Sequence, residues 1–279
     1  MNWKTKDHAD SDNLRVLRIT KSIGLAIDSI KINWTTCEVR DGRPMWVKRR
    51  RWGSELVAIA ANLFFRLARA PVHLWVNPKS WQRWEVDCFR LLYGQGFRAF
   101  AENSRTVCAD RVPGESLLEH ANLGTLTLRQ LEAAAGEFRR VHDLWCEEFG
   151  DLWSHSDPHL DNVLYDETAD RARLIDFELI HDKSLTAVER QADDLLVFLQ
   201  DLLARVSAEQ WLPFALCFIE AYGRPEVVAE LRRRLIVPVG LAWLWCKLRT
   251  HYLRREEVLH RVEALQRALS DKPLPSTLQ

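Results

Sequence analysis

Residues 153–166 read WSHSDPHLDNVLYD, two histidines, three aspartates and an asparagine set between a tryptophan and a Val-Leu-Tyr run. So much proton- and metal-binding chemistry in one short stretch has three readings: a metal-hydrolase cluster, the catalytic loop of a phosphoryl-transfer enzyme, or a polar turn. His155, Asp157, His159 and Asp161 alternate along the chain, so on a strand they would share one face and could converge on an ion. No second group of His, Asp or Cys completes such a site, and His120, His142 and His181 each stand alone in the sequence. A plain turn gives no reason for Asp157 and Asn162 to stand five positions apart, ahead of strand patterns that end in Ile175-Asp176-Phe177-Glu178.

The phosphoryl-transfer reading accounts for the whole segment. His155-x-Asp157-x-x-x-x-Asn162 has the spacing of the kinase catalytic loop, and Asp176-Phe177 follows fourteen residues after Asn162, where a kinase carries its metal-binding aspartate. The chemistry asks for little more. A substrate hydroxyl needs a carboxylate to orient it and take its proton, the role expected of Asp157. The γ-phosphate of ATP needs Mg²⁺ held by hard oxygen ligands, expected from Asn162 and Asp176.

The sequence thus resembles the protein-kinase-like superfamily, in the branch that phosphorylates sugars and other small molecules. Asp176-Phe177-Glu178 in place of Asp-Phe-Gly is similar to aminoglycoside- and choline-kinase-like enzymes. A closer resemblance is to the lipopolysaccharide core kinases, the Kdo/heptose kinase family. It rests on Val47-Lys48-Arg49-Arg50-Arg51-Trp52-Gly53, on Gln82-Arg83-Trp84-Glu85-Val86-Asp87-Cys88, on Gly94-Gln95-Gly96-Phe97 and on Val112-Pro113-Gly114-Glu115-Ser116-Leu117. It spans about residues 44–200 and is specific at the catalytic loop. The resemblance implies that Lys48 contacts the α- and β-phosphates and that Glu85 holds it by an ion pair, with Glu55 as the rival partner. It also implies that His155 orients the loop and that Asp194 braces it from below, with Arg190 one turn earlier as a candidate partner for Asp194. Two features depart from the pattern. There is no G-x-G-x-x-G, Thr20-Lys21-Ser22-Ile23-Gly24 being the one candidate phosphate-covering turn, and Pro158 stands where many relatives have Leu.

The 279 residues divide into two unequal parts. Strand patterns cover 14–20, 30–40, 44–50 and 102–112, with the turn pair Asp41-Gly42 between the second and third. Helical patterns cover 54–70 and 80–96, the second ended by Gly94. After Val112 the chain reads as helical: 128–145 with Trp145 on its apolar face, then the short strands NVLYD and ARLID, a long helix over 185–206, and three helices over 208–270. The expected fold is α+β and bilobal, like a protein kinase: a small antiparallel-sheet N-terminal lobe over 1–112 and a helical C-terminal lobe over 113–279. A cleft between them is the natural ligand site.

Composition bounds the rest. With 39 Lys+Arg against 39 Asp+Glu there is no global field to suggest nucleic acid as a partner. Six scattered cysteines, none in a C-x-x-C pair, fit free thiols in a reducing compartment. The longest charge-free apolar run, 235–246, has 12 residues, short of the ~20 that span a bilayer. The expectation is a cytoplasmic enzyme that takes ATP, Mg²⁺ and a sugar or glycolipid. The basic run at 48–51, the apolar segment 54–76 and nearby tryptophans suit peripheral contact with an anionic inner-membrane surface. That favours a Kdo or heptose hydroxyl as acceptor. An aminoglycoside or amino alcohol is the alternative, as is a pseudokinase that binds without transferring. A protein kinase lacks support, because no Ala-Pro-Glu or activation segment follows Asp176.

Overall fold

The structure, a computed structural model, describes residues 32–271. The expected strand at 14–20 and the candidate phosphate-covering turn at 20–24 lie outside the described residues. Strand β1 (Asn33–Arg40) turns into β2 (Arg43–Arg50) through Asp41 and Gly42, both at positive φ (51° and 74°), a turn whose twist matches that of a hairpin. The residues expected to form one strand over 102–112 form parts of two, β4 (Ala99–Asn103) and β5 (Thr106–Asp110). The chain reverses because Asn103 Oδ1 accepts the Arg105 backbone N–H at 2.9 Å, a side-chain-made turn inside what looks like a continuous pattern. The resulting antiparallel sheet has the order β1-β2-β5-β4. Met45, Val47 and Cys108 pack on one of its faces, while the alternate residues Lys48 and Arg50 turn the other way, toward the ring of Trp81.

Trp81 belongs to α2 (Pro78–Tyr93), which Asn77 caps by accepting the Lys79 N–H and which Gly94 ends at φ 77°. Between β2 and α2 lie α1 (Ser54–Ala68) and β3 (Val72–Leu74). Only Ser54, Ala58, Phe65 and Ala68 of α1 are buried. The expectation of a buried or membrane-facing helix therefore resolves into one that buries a narrow stripe and leaves its leucines outside.

The chain then crosses at residues 111–114 to β6 (Glu115–Ser116) and α3 (Leu117–Asn122). Gly114 is required there. Its φ is +111°, and a Cβ would stand 2.6 Å from the Tyr165 carbonyl, so no larger residue fits. Helix α4 (Leu128–Val141) stops four residues short of the expected end, and Trp145, expected on its buried face, sits in β7 (Trp145–Cys146) and is exposed. That strand pairs with β8 (Asp151–Leu152). The expected strands at NVLYD and ARLID are β9 (Val163–Asp166) and β10 (Arg171–Leu174), paired antiparallel with β6 alongside. Strand β11 (Leu179–His181) pairs with β3, tying the segment after Asp176 to the N-terminal part.

Helix α5 (Ala187–Arg205) opens with a capping box between Thr186 and Glu189. Four helices follow it where three were expected: α6 (Ala208–Tyr222), α7 (Pro225–Arg234), α8 (Gly240–Arg249) and α9 (Arg255–Asp271). The additional break falls at residues 235–239, where Pro238 cannot continue a helix. One hydrophobic core runs from α2 and β5 into α4, α5 and α6, and a smaller one of Ala58, Phe65, Val72, Leu74 and Leu179 lies under α1. The architecture is mixed α+β, a small antiparallel sheet region followed by a helical part, as expected, and is consistent with a protein-kinase-like fold. Among the described residues no helix is long and apolar enough to cross a membrane.

Candidate active site

A cleft of about 480 Å³ opens between the sheet and the helical part, lined among others by Trp46, Lys48, Glu85, Asn162, Ile175 and Asp176. Its size is that of an ordinary small-molecule site. Lys48 is placed by register: on β2 it stands opposite Thr35 of β1 and Val107 of β5, with its side chain turned toward α2. Glu85 comes from the buried face of α2 and meets the Lys48 ammonium at 3.1 and 3.2 Å. The rival, Glu55, lies in the first turn of α1 and pairs with Arg105 instead.

The ammonium also donates to Asp176 and lies 3.0 Å from Glu178. One cation against three carboxylates, 1 − 3, leaves an excess of two negative charges if all are ionised. This crowding bears on how each group holds its proton. Burial disfavours the Lys48 ammonium, but Asp176, Glu178 and Glu85 outweigh it and hold its pKa well above the ordinary value. Burial pushes Glu85 up to about 7; Lys48 pulls against this, and the two other carboxylates add to it. Burial also opposes ionisation of Asp176, yet Lys48 holds that carboxyl below its usual range. Glu178 further accepts the Asn33 side-chain amide at 2.6 Å, anchoring the start of β1. Sequence reasoning gave Glu178 no role, since nothing in local spacing shows that it reaches the lysine.

The loop of residues 153–162 is held from below. Asp194 of α5 accepts the backbone N–H of His155 and of Ser156, each at 2.7 Å, and bonds His142 Nε2 at 3.0 Å. His142 Nδ1 is in turn 2.9 Å from the Tyr222 hydroxyl. Seven residues along the same helix, Asp201 accepts the Leu160 N–H at 2.8 Å. Ser156 takes a left-handed φ of 79°, a cost that these bonds to Asp194 sustain. His155 Nε2 is 2.9 Å from the Ile175 carbonyl and its Nδ1 accepts the Asp157 N–H at 3.3 Å. A neutral imidazole makes both bonds, in accord with burial, which lowers the pKa of His155 and likewise of His142. His181, sequestered beneath the loop, is 2.9 Å from Ser154 Oγ and 3.1 Å from Ser156 Oγ.

Asp157 itself is partly open to solvent, and Asn162 donates its amide to the Asp157 carbonyl at 2.9 Å. Ile175 donates its N–H to the Asn162 carbonyl at 3.0 Å, which fixes the loop against the strand end that leads to Asp176. Asp176 has a left-handed φ of 66°. The His159 imidazole stands 3.8 Å from the Asp157 carboxylate. His155 is turned inward, so the four alternating residues do not converge, and among the described residues no group of three or more His, Cys, Asp or Glu is placed to hold a metal. The donors fit Mg²⁺ in a different way. Asp176 and Asn162 offer hard oxygens at the cleft, and the excess negative charge around Lys48 suits a divalent cation whose other ligands are phosphates and water.

Arg190 was one candidate partner for Asp194. It does not pair with it: it is buried and directed to Asp151 at 3.2 Å and to the Leu152 carbonyl at 2.9 Å, because its side chain leaves the helix on the side of β8. The loop's supports beyond Asp194, namely His142, His181 and Asp201, escaped sequence reasoning. The signal for Asp201 was present: an aspartate seven residues after Asp194, on the same apolar helix face.

No protein-family model and no curated protein matches the chain. Among solved structures, an ethanolamine kinase from Plasmodium vivax is similar over 85% of this chain and 82% of its own, at 8% identity and a TM-score of 0.39.

Proposed function

We propose that this chain is an ATP- and Mg²⁺-dependent phosphotransferase with an alcohol group as acceptor, most specifically a sugar hydroxyl. One observation carries the reading: Lys48 with Glu85, Asn162 and Asp176 reach a single cleft from three separate parts of the chain, beside the braced loop that presents Asp157. Lys48, kept charged by its carboxylates, binds nucleotide phosphates and is oriented by Glu85. Asn162 and Asp176 would hold the cation, which when bound neutralises charge on the transferring phosphoryl group. Asp157 orients the acceptor hydroxyl and takes its proton as the new O–P bond forms and ADP departs. The apolar stretch of the cleft, Trp46, Val107, Ala109 and Leu164, suits a flat aromatic base.

The resemblance of residues 44–200 to lipopolysaccharide core kinases supports a Kdo or heptose hydroxyl as the acceptor. A second reading, a cationic small molecule such as an amino alcohol or aminoglycoside, is favoured by Glu115, Glu119 and Asp161, three carboxyl side chains that line the cleft. Transfer of labelled γ-phosphate from Mg·ATP to a lipopolysaccharide-containing envelope fraction and to a soluble metabolite pool, with Asp157→Asn as control, separates the two. Label in the glycolipid supports the core-sugar acceptor, and label in the soluble pool alone supports the cationic one. No Asp157-dependent transfer to either pool removes the phosphotransferase reading.

A further inference from the structure

Away from the cleft, α1 carries a feature that phosphoryl transfer does not use. Leu56, Ile59, Leu63 and Leu67 recur at helical spacing on its outer face, and with Trp52 just ahead of the helix they are between 53% and 85% exposed. A ridge of large apolar side chains of this extent is uncommon on a soluble surface and marks a contact site. The 15-residue helix runs ~22 Å along the surface.

Its surroundings say what covers it. Between residues 42 and 76 the sequence has seven Lys and Arg against one acid, Glu55; Lys48 and Arg50 are buried away from the ridge, which leaves five. Arg66 and Arg69 stand exposed at the C-terminal end of the ridge. At the N-terminal end a basin of about 440 Å³ is lined by Trp34, Arg49, Arg51, Trp52 and Arg105. Glu38 and Glu55 offset Arg49 and Arg105, but the excess around the ridge stays positive. The Arg105 guanidinium stacks 4.2 Å from the Trp52 ring centroid, placing charge beside an aromatic that prefers the boundary between water and lipid. The apolar surface does not end with α1. Its Phe65 meets Trp245 of α8 edge-on at 5.0 Å, and one turn before Trp245 Leu241 is exposed, as are Ile236 and Val239 ahead of it.

We propose that this face docks on an anionic phospholipid bilayer, with α1 lying in the interfacial plane, its leucine ridge among the acyl chains and its arginines against the headgroups. The proposal concerns a surface outside the cleft and stands apart from the phosphotransferase reading, so its test contains no nucleotide.

The test is sedimentation of the full chain with vesicles of phosphatidylcholine alone and of phosphatidylcholine with phosphatidylglycerol, followed in parallel by tryptophan fluorescence. The expected result is partition onto the anionic vesicles only, with a blue shift that Trp52→Phe reduces and with weaker binding in high salt. Leu56→Ser with Leu63→Ser should weaken partition by roughly tenfold or more. Arg66→Gln with Arg69→Gln should weaken it by roughly 25-fold, at about fivefold per arginine. All four positions are exposed, so unfolding midpoints should not move. Absence of partition by the native chain overturns the proposal, as does partition that the leucine pair leaves unchanged or that neutral vesicles support equally. A doubled solution mass abolished by the leucine pair also overturns it, since a second copy then covers the ridge.

Discussion

The loop that presents Asp157 and the cluster around Lys48 serve one cleft on opposite electrostatic terms. Beneath the loop, each buried aspartate of α5 has its donors. Asp194 accepts two backbone N–H groups and bonds His142, while Asp201 accepts the Leu160 N–H and lies 2.6 Å from His251 Nε2. Around Lys48, one cation faces three carboxylates, Glu178 alone having a further donor among the described residues, the Asn33 amide, and the arrangement is under-neutralised. The first region is complete by itself and sustains a strained backbone. The second is balanced only when more positive charge arrives, as expected of a place where a cation and a nucleotide bind.

The two regions differ most in what Asp157 and Asp194 do. Asp157→Asn should lower turnover by roughly 10²–10⁴-fold with nucleotide affinity and unfolding midpoint nearly unchanged; an unaltered rate would remove Asp157 from the chemistry. Asp194→Ala should do the reverse, costing about 3–5 kcal/mol in denaturant unfolding, because two backbone N–H groups and a buried histidine lose their acceptor. A loss within experimental error would show that the loop holds itself. Asp176→Ala should reduce affinity for Mg·ATP to that for ATP without metal, read by titration calorimetry, and retained metal dependence would overturn its assignment as a ligand.

Smaller effects sharpen the contrast through pH. Burial lowers the pKa of His142 and His155, so below about 6.5 the unfolded chain takes protons that the native state refuses, and stability falls as pH falls. Asp194 also titrates low: burial opposes its ionisation, but its bond to His142 and the neighbouring histidines outweigh that, adding a loss at still lower pH. Glu85 has the opposite sign. Its folded pKa of about 7 exceeds the unfolded value, so the native state holds a proton that the unfolded chain has released, and the free protein loses stability as pH rises from about 4.5 to 7. Glu85→Gln should flatten that limb of the stability curve and leave the acid limb intact. Bound cation favours ionised Glu85, so Mg·nucleotide affinity should rise by at most about tenfold per pH unit below 7, with proton release visible as buffer-dependent heat. Heats that are equal in buffers of different ionisation enthalpy would contradict the shifted Glu85.

Much of the site was legible because its chemistry is tied to spacing. Asp157, Asn162 and Asp176 are fixed along one short stretch, whereas the role of Asp194 came from the resemblance. Lys48 and Glu85 were legible only through resemblance, 37 residues apart, and it is the hairpin register and the buried face of α2 that bring them together. Glu178, His142 and His181 were not legible, since each acts through a partner distant in sequence. The hairpin inside 102–112 was hidden because Asn103 makes the turn with its own side chain, without glycine or proline. Arg190, a candidate partner for Asp194 by helix spacing, is instead buried against β8, which spacing alone does not show.

The ladder between β11 and β3 bears on control. Leu179, Ile180 and His181 are laced to Leu74, His73 and Val72 straight after Asp-Phe-Glu, and α5 begins six residues later. A segment stitched down at that point has no slack with which to swing its aspartate out of the cleft and back. On the phosphotransferase reading proposed above, turnover is then set by how often acceptor and nucleotide meet in the cleft rather than by movement of this segment.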